Sequence, residues 1–185
     1  MKKIVLAIAA LGALATGSAF AQGYVGAGIG QARINVDCNG TVGCDRTDTA
    51  WKLFGGFRFM PNVAGEVTWF DYGKARAGVP LGGVVFDTRV EGEGLGVGVA
   101  LMGDFMPQWS GVARLGAAYN RSKVNVIGVG SDTERKFQPY FGLGVGYAIN
   151  QQLKIDLAAD FTRLKFEGGD KANVRMFTIG ATYGF

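Results

Sequence analysis

The chain has 185 residues, 48% of them hydrophobic, with 31 glycines and no histidine. After the N-terminal run no stretch offers the roughly eighteen consecutive apolar residues of a spanning helix, and each glycine would weaken a helix by roughly 1 kcal/mol relative to Ala. The formal charge of +4 falls to +2 once Lys2 and Lys3 are set aside, too small an excess to indicate a nucleic-acid binder.

Lys2 and Lys3 precede an apolar run from Ile4 to about Ala15, and Ala19, Phe20 and Ala21 follow as an A-x-A triplet. This pattern predicts a secretory signal over residues 1–21, cleaved between Ala21 and Gln22, and one mature domain over residues 22–185. The exported chain has 164 residues, close to twenty per strand plus connection for about eight segments of period-two alternation. The expected fold is all-β: an eight-stranded antiparallel up-and-down transmembrane β-barrel.

In chain order, the first strand runs from Tyr24 to about Ile34, with Val25, Ala27 and Ile29 on one face and Gly26, Gly28 and Gly30 on the other. Cys38 and Cys44 follow in the loop CNGTVGC. In an exported protein they are expected to form a disulfide closing a small loop, worth ~2 kcal/mol locally. Two sulfur ligands without histidine fall short of the four-ligand habit of structural zinc, so no metal site is expected.

The second strand, Ala50 to Phe59, turns Trp51, Leu53, Phe57 and Phe59 outward and Lys52, Phe54, Gly56 and Arg58 inward. A tight turn at Met60, Pro61 and Asn62 leads to the third strand, Val63 to Tyr72, with Val67 and Trp69 outward and Glu66 and Thr68 inward. A longer loop reaches about Thr88. In the fourth strand Leu95, Val97, Val99 and Leu101 alternate with Gly94, Gly96, Gly98 and Ala100. Glycine at every second position is a strand face here, because no helix pattern follows to make it a dinucleotide fingerprint.

A short turn over Gly103 to Gln108 opens the fifth strand, Trp109 to Arg121, with Val112, Arg114 and Asn120 inward. A long loop is expected from Ser122 to Lys136, then a sixth strand from Phe137 to Ile149. Pro139 removes a ladder donor there and is expected above the membrane band. After a turn at Asn150, Gln151 and Gln152, the seventh strand, Leu153 to Leu164, leaves Lys154, Asp156 and Asp160 inside. The final strand, Met176 to Phe185, sets Phe177, Ile179, Ala181, Tyr183 and Phe185 on one face. An edge in lipid would have no water to satisfy its backbone, so an earlier strand must close the sheet. Aromatics near both ends of several strands fit interfacial girdles.

Phe54 to Gly73, reading FGGFRFMPNVAGEVTWFDYG, resembles a hairpin of the OmpA-type transmembrane domain, as do VARLGAAYN around Arg114 and GVGYAINQQLKIDLAADF across the third short turn. The resemblance implies a small Gram-negative outer-membrane barrel in the cell envelope, with mobile outer loops and a polar interior. It also implies that Tyr183 and Phe185 form the C-terminal signal for the barrel-assembly machinery. Larger members continue into a peptidoglycan-binding domain, which is not expected here. Glu66 matches an inward glutamate of the family's ion-pair network that can gate a narrow pore. The partner positions are small or apolar residues, Gly146 and Asp156, so that pairing scheme is broken.

Lys52, Arg58, Glu66, Arg114, Lys154, Asp156 and Asp160 are the expected interior charge network. Arg114 is positioned to bridge Glu66 and Asp156, and Arg58 to pair with Glu66 across the hairpin. The favoured reading is a filled barrel with a structural or loop-mediated, adhesin-like role; the alternative is a narrow, gated, porin-like passage for ions or small solutes. Basic residues gather at the long-loop ends, and Arg121, Lys123, Arg135 and Lys136 are candidate contacts to lipopolysaccharide phosphates. Loop solvation explains half of them equally well. Expected partners are outer-membrane lipid and lipopolysaccharide, the assembly machinery, and a host or surface ligand at the loops. No nucleic acid, cofactor or catalytic residue is expected, since small barrel hydrolases resemble one another in using a histidine base. The chain is expected to be a monomer.

Overall fold

The computed structural model describes residues 22–35, 42–81, 84–126, 130–165 and 171–185. Its elements are all strands: β1 (Gly23–Asn35), β2 (Val42–Asp45), β3 (Thr47–Met60), β4 (Val63–Leu81), β5 (Val84–Met106), β6 (Trp109–Val126), β7 (Gly130–Ala148), β8 (Leu153–Lys165) and β9 (Lys171–Gly184). Eight of them form a closed antiparallel ring in the order β4, β3, β1, β9, β8, β7, β6, β5, with β5 returning to β4. The closing strand for the C-terminal segment is β1, paired with β9 from Tyr24 opposite Gly184 to Asn35 opposite Asn173.

The faces follow the period of two. Trp51, Leu53, Leu101, Leu157 and Phe177 are exposed on the outer wall, while Phe54, Phe70, Tyr72 and Met176 are buried inside. Trp109 meets Tyr147 edge to face near the short turns, and Tyr119 meets Phe137 near the opposite end. These rings mark the two interfaces of the apolar band.

Three differences from the sequence-based expectation have physical causes. The second and third long loops are largely strand: β4 and β5 stay paired as far as Leu81 opposite Val84, and β6 and β7 as far as Val126 opposite Gly130. The alternation of β-branched and polar residues simply continues past the girdle, so these hairpins stand well clear of the membrane. Within the first long loop β2 pairs with β4 at Val42 opposite Gly78 and Asp45 opposite Arg76. Cys44 lies in this strand; Cys38 lies outside the described residues, as do residues 1–21 with Ala21 of the expected cleavage site.

The third difference is a register shift in β4 between Asp71 and Lys74, where Gly73 adopts φ 69°. That left-handed geometry favours glycine, and the Asp71 carboxylate accepts the Gly73 N–H at 2.9 Å. The bulge exchanges the faces of the strand: Tyr72 is buried before it and Ala75 after it, which turns Lys74 and Arg76 outward.

At Pro139 the wall itself changes. The β7–β8 ladder ends at Phe141 opposite Phe161, although both strands continue. Pro139 therefore sits where no β8 partner needs its missing donor, while it remains in register with Ala117 of β6. The outer part of β8 is held from inside by side chains instead. Asn120 Nδ2 donates to the Arg163 carbonyl at 2.7 Å, Ser122 Oγ to the Lys165 carbonyl at 2.7 Å, and Thr162 Oγ1 to the Pro139 carbonyl at 3.0 Å.

Inward glycines let neighbouring strands meet. A Cβ on Gly116 would lie 2.2 Å from the Val97 carbonyl oxygen, a backbone atom that cannot swing away. Gly116→Val should therefore lower the unfolding free energy by about 1–3 kcal/mol, the range for overpacking. The lipid-facing Leu101→Val should change it by less than about 0.5 kcal/mol. Urea unfolding of the refolded barrel, followed by its heat-dependent gel shift, measures both.

Candidate functional site

The lumen has three levels. At the short-turn end a vestibule of about 260 Å³ is lined by Arg58, Asn62, Asp104, Ser110, Lys154 and Asp156, among others, and reaches Arg114. Above it the free space between Lys52, Phe54, Arg114 and Asp156 shrinks to about 10 Å³, room for about one water. Beyond that the outer half is packed with Ile34, Phe70, Tyr72, Leu164, Val174 and Met176, all fully buried.

The middle level holds two buried ion pairs. Lys52 Nζ lies 2.6 Å from Asp160 Oδ2, whose other oxygen accepts the Tyr140 hydroxyl at 2.9 Å. Arg114 Nε donates to Glu66 Oε1 at 2.7 Å; Thr68 donates to the same oxygen at 3.1 Å and Tyr24 to Oε2 at 2.9 Å. Phe54 separates the pairs: Lys52 Nζ lies 5.6 Å and the Arg114 guanidinium carbon 4.9 Å from its ring centre. Paired charges flanked by an aromatic face are the arrangement that offsets desolvation in a narrow interior.

The Arg114–Glu66 contact is present, but the other two expected contacts are not. Asp156 accepts the Thr182 hydroxyl instead of meeting Arg114. The reason is barrel stagger. Following the ladders from Lys52 through Gly28 and Gly180 leads to Asp156, yet the carboxylate Lys52 touches is Asp160, four residues along β8. In the opposite direction the row from Glu66 through Gly98 leads to Gly116, while the contact is Arg114, two residues away. Residues at one height across the lumen are thus not those in one ladder row.

Arg58 does not pair with Glu66. Gly56 is the residue opposite Glu66, Arg58 lies opposite Ala64, and its guanidinium sits 5.9 Å from the Tyr24 ring centre. Its Nε is buried without a hydrogen-bond partner among the described residues. Lys154 donates to Ser110 at 3.1 Å, with Asp104 at 3.8 Å. The sequence reading missed Tyr24 and Tyr140, which complete both pairs. Each lies on the inward parity of its strand, and a phenol hydroxyl turned into a narrow lumen calls for an acceptor.

The outer rim carries a different pattern. Arg33 stands directly opposite Arg175, Arg76 opposite Arg89, Arg121 opposite Arg135, and Lys165 opposite Lys171. Arg121 is paired with Glu93 at 2.8 Å, Lys74 with Glu91 at 3.0 Å and Lys136 with Glu134 at 3.1 Å; Lys123 faces Glu91 in the register. Arg33, Arg89, Arg135, Arg163 and Arg175 have no carboxylate within ion-pair distance among the described residues, and all are exposed.

A closed, filled ring of eight strands with an apolar outer band and aromatic girdles is a small outer-membrane barrel. Residues 4–185 match the outer membrane protein beta-barrel domain family, and the chain belongs to it, which places it in the bacterial outer membrane. The fold is similar to Ail, the attachment invasion locus protein of Yersinia pestis (19% identity, 89% of this chain and 98% of that one, TM-score 0.60), a protein also solved with the heparin analogue sucrose octasulfate. It is likewise similar to Neisserial surface protein A (12% identity, 88% and 97% coverage, TM-score 0.65) and to the N-terminal barrel of Pseudomonas aeruginosa OprF (11% identity, 89% and 98% coverage, TM-score 0.52). Comparison with curated proteins finds no match.

Removing one partner of a buried pair strands the other. Lys52→Met and Asp160→Asn should each cost about 3–5 kcal/mol, and the double substitution less than the two together. A double-mutant cycle on urea unfolding measures the coupling.

Proposed function

We propose that this protein is a non-conducting, monomeric outer-membrane barrel whose working surface is the outer rim, where a collar of arginines binds polyanionic glycans. The observation that carries the reading is the set of like-charged cross-strand pairs. Two arginines directly opposite on one sheet face destabilise the pairing unless an anion lies between them, and a planar guanidinium binds phosphate or sulfate through two parallel N–H bonds. The phosphorylated sugars of lipopolysaccharide surround this rim and are its first ligand; Arg121, Lys123, Arg135 and Lys136 belong to the same belt. A sulfated or phosphorylated host or surface glycan is the second ligand, giving an adhesin-like role carried by the long hairpins. Ail, similar in fold, has been solved with sucrose octasulfate.

The rest of the reading concerns biogenesis. Cleavage between Ala21 and Gln22 releases the mature domain, Tyr183 and Phe185 address it to the assembly machinery, and a Cys38–Cys44 disulfide pins the first hairpin. The alternative, a gated pore, is disfavoured by the narrowing to about 10 Å³ beside Arg114 and the apolar packing beyond it. Planar-bilayer recordings of the refolded mature protein should be silent, with the heat-dependent gel shift intact; steady current changed by Arg114→Ala would make the pore the function.

The collar is tested with sucrose octasulfate as the probe. Arg33→Gln, Arg89→Gln and Arg135→Gln combined should weaken binding about tenfold or more, and high salt should erase the difference. Because these substitutions remove like-charge repulsion, unfolding stability without ligand should stay equal or rise. Unchanged affinity would sink the collar.

A further inference from the structure

We infer that the break in the wall between β7 and β8 is a binding site for an anionic, acylated lipid of the outer leaflet. The inference rests on the rim being polyanion-binding and adds a lipid-specific site to it. Where the ladder stops at Phe141 and Phe161, a cleft of about 520 Å³ opens, lined by both faces of the sheet. Leu115, Phe141 and Phe161 belong to the outer apolar band, whereas Tyr140, Thr162 and Val174 belong to the lumen. A cleft bordered by both sets cuts into the wall instead of lying on it.

Three properties choose the occupant. On the β8 side of the break the Arg163 and Lys165 carbonyls accept from Asn120 and Ser122, and on the β7 side the Pro139 carbonyl accepts from Thr162 and its nitrogen has no donor to offer, so the break is a poor template for another strand. Its walls are largely apolar and run from Leu115, Phe141 and Phe161 up to the exposed Arg163 and Arg175, where the outward face of β8 and β9 turns from apolar to charged, as it does where acyl chains meet head groups. Arg163 and Arg175, diagonal neighbours on β8 and β9, line the cleft without a carboxylate partner among the described residues. An acyl chain lies against Leu115, Phe141 and Phe161, and the phosphate of the same molecule lies on the two guanidinium groups. Lipid held only by the general apolar band would show no preference for this cleft or for its two arginines.

The test uses the mature protein refolded in bilayers containing a small fraction of a phosphorylated lipid A carrying a photoreactive group on one acyl chain. After irradiation and digestion, attachment should concentrate on the segments around Leu115, Pro139 to Phe141 and Phe161. Arg163→Gln with Arg175→Gln should reduce that attachment about tenfold, a loss of ~1.4 kcal/mol, with barrel closure verified by gel shift. Attachment spread evenly around the apolar band, or equal attachment from a probe with the same chain and a net neutral head group, would overturn the assignment. The mapping on unmodified protein needs no variant, so a folding defect cannot obscure it. Sucrose octasulfate has no acyl chain: if it still binds the Arg33, Arg89 and Arg135 collar while the lipid probe shows no preference, the cleft fails and the collar stands. Loss of sucrose octasulfate binding with cleft labelling retained is the reverse case, in which the collar fails and the cleft stands.

Discussion

Hydrocarbon offers a peptide group nothing to hydrogen-bond, and each unpaired backbone amide or carbonyl in it costs several kcal/mol. A sheet that crosses the membrane must therefore close, which here means β1 against β9 along most of their lengths. Closure at eight strands leaves a lumen too narrow for large side chains at every inward position. Gly26, Gly56, Gly98 and Gly116 stand where a Cβ would collide with a neighbour. The remaining space is so limited that each inward carboxylate along it among the described residues has a donor: Lys52 and Tyr140 for Asp160; Arg114, Tyr24 and Thr68 for Glu66; Thr182 for the half-buried Asp156.

The break between β7 and β8 obeys the same constraint by other means. Paired backbone gives way to inward amide and hydroxyl groups, so Asn120 and Ser122 act as substitutes for a missing stretch of strand. Tyr72 extends this support, donating to Asn120 Oδ1 at 3.3 Å while stacking on Phe70. The apolar outer half of the lumen and the polar seam are thus one packed unit. That unit, together with the ion pairs below it, fills the passage, and on the proposed reading it moves the interactions of the protein to its outer surface.

Much of this was legible from alternation alone. The faces of the strands can be read from Trp51, Lys52, Leu53 and Phe54, because a period of two admits only one assignment once one face is greasy. What alternation cannot convey is height. Lys52 and Asp156 share a ladder row, yet Lys52 meets Asp160, because strand tilt displaces the row along the axis as it passes from β3 to β8. The Gly73 bulge was equally invisible: a single left-handed residue exchanges faces, and nothing in DYGKAR marks which residue is extra. The hairpins above the girdle resemble loops in sequence for a simpler reason. Outside the membrane both faces can be polar, and the alternation that identifies a half-lipid strand loses its contrast.

The two populations of charge obey opposite rules. In the lumen an uncompensated charge has no solvent to turn to, so sequence and register bring acid to base. At the rim solvent is available, and four like-charged pairs are tolerated directly across the sheet. Solvation explains why they are permitted; it does not explain why they recur on β1–β9, β4–β5, β6–β7 and β8–β9, all toward the long-hairpin ends of the strands. On the proposed reading a ligand rich in anions lies at the rim, removes the repulsion and turns the pairs into clamps. On that reading the phosphorylated lipids of the outer leaflet are such a ligand on every side. A belt that is mildly destabilising in isolation is then stabilising in place, because binding to the folded state alone adds to its stability.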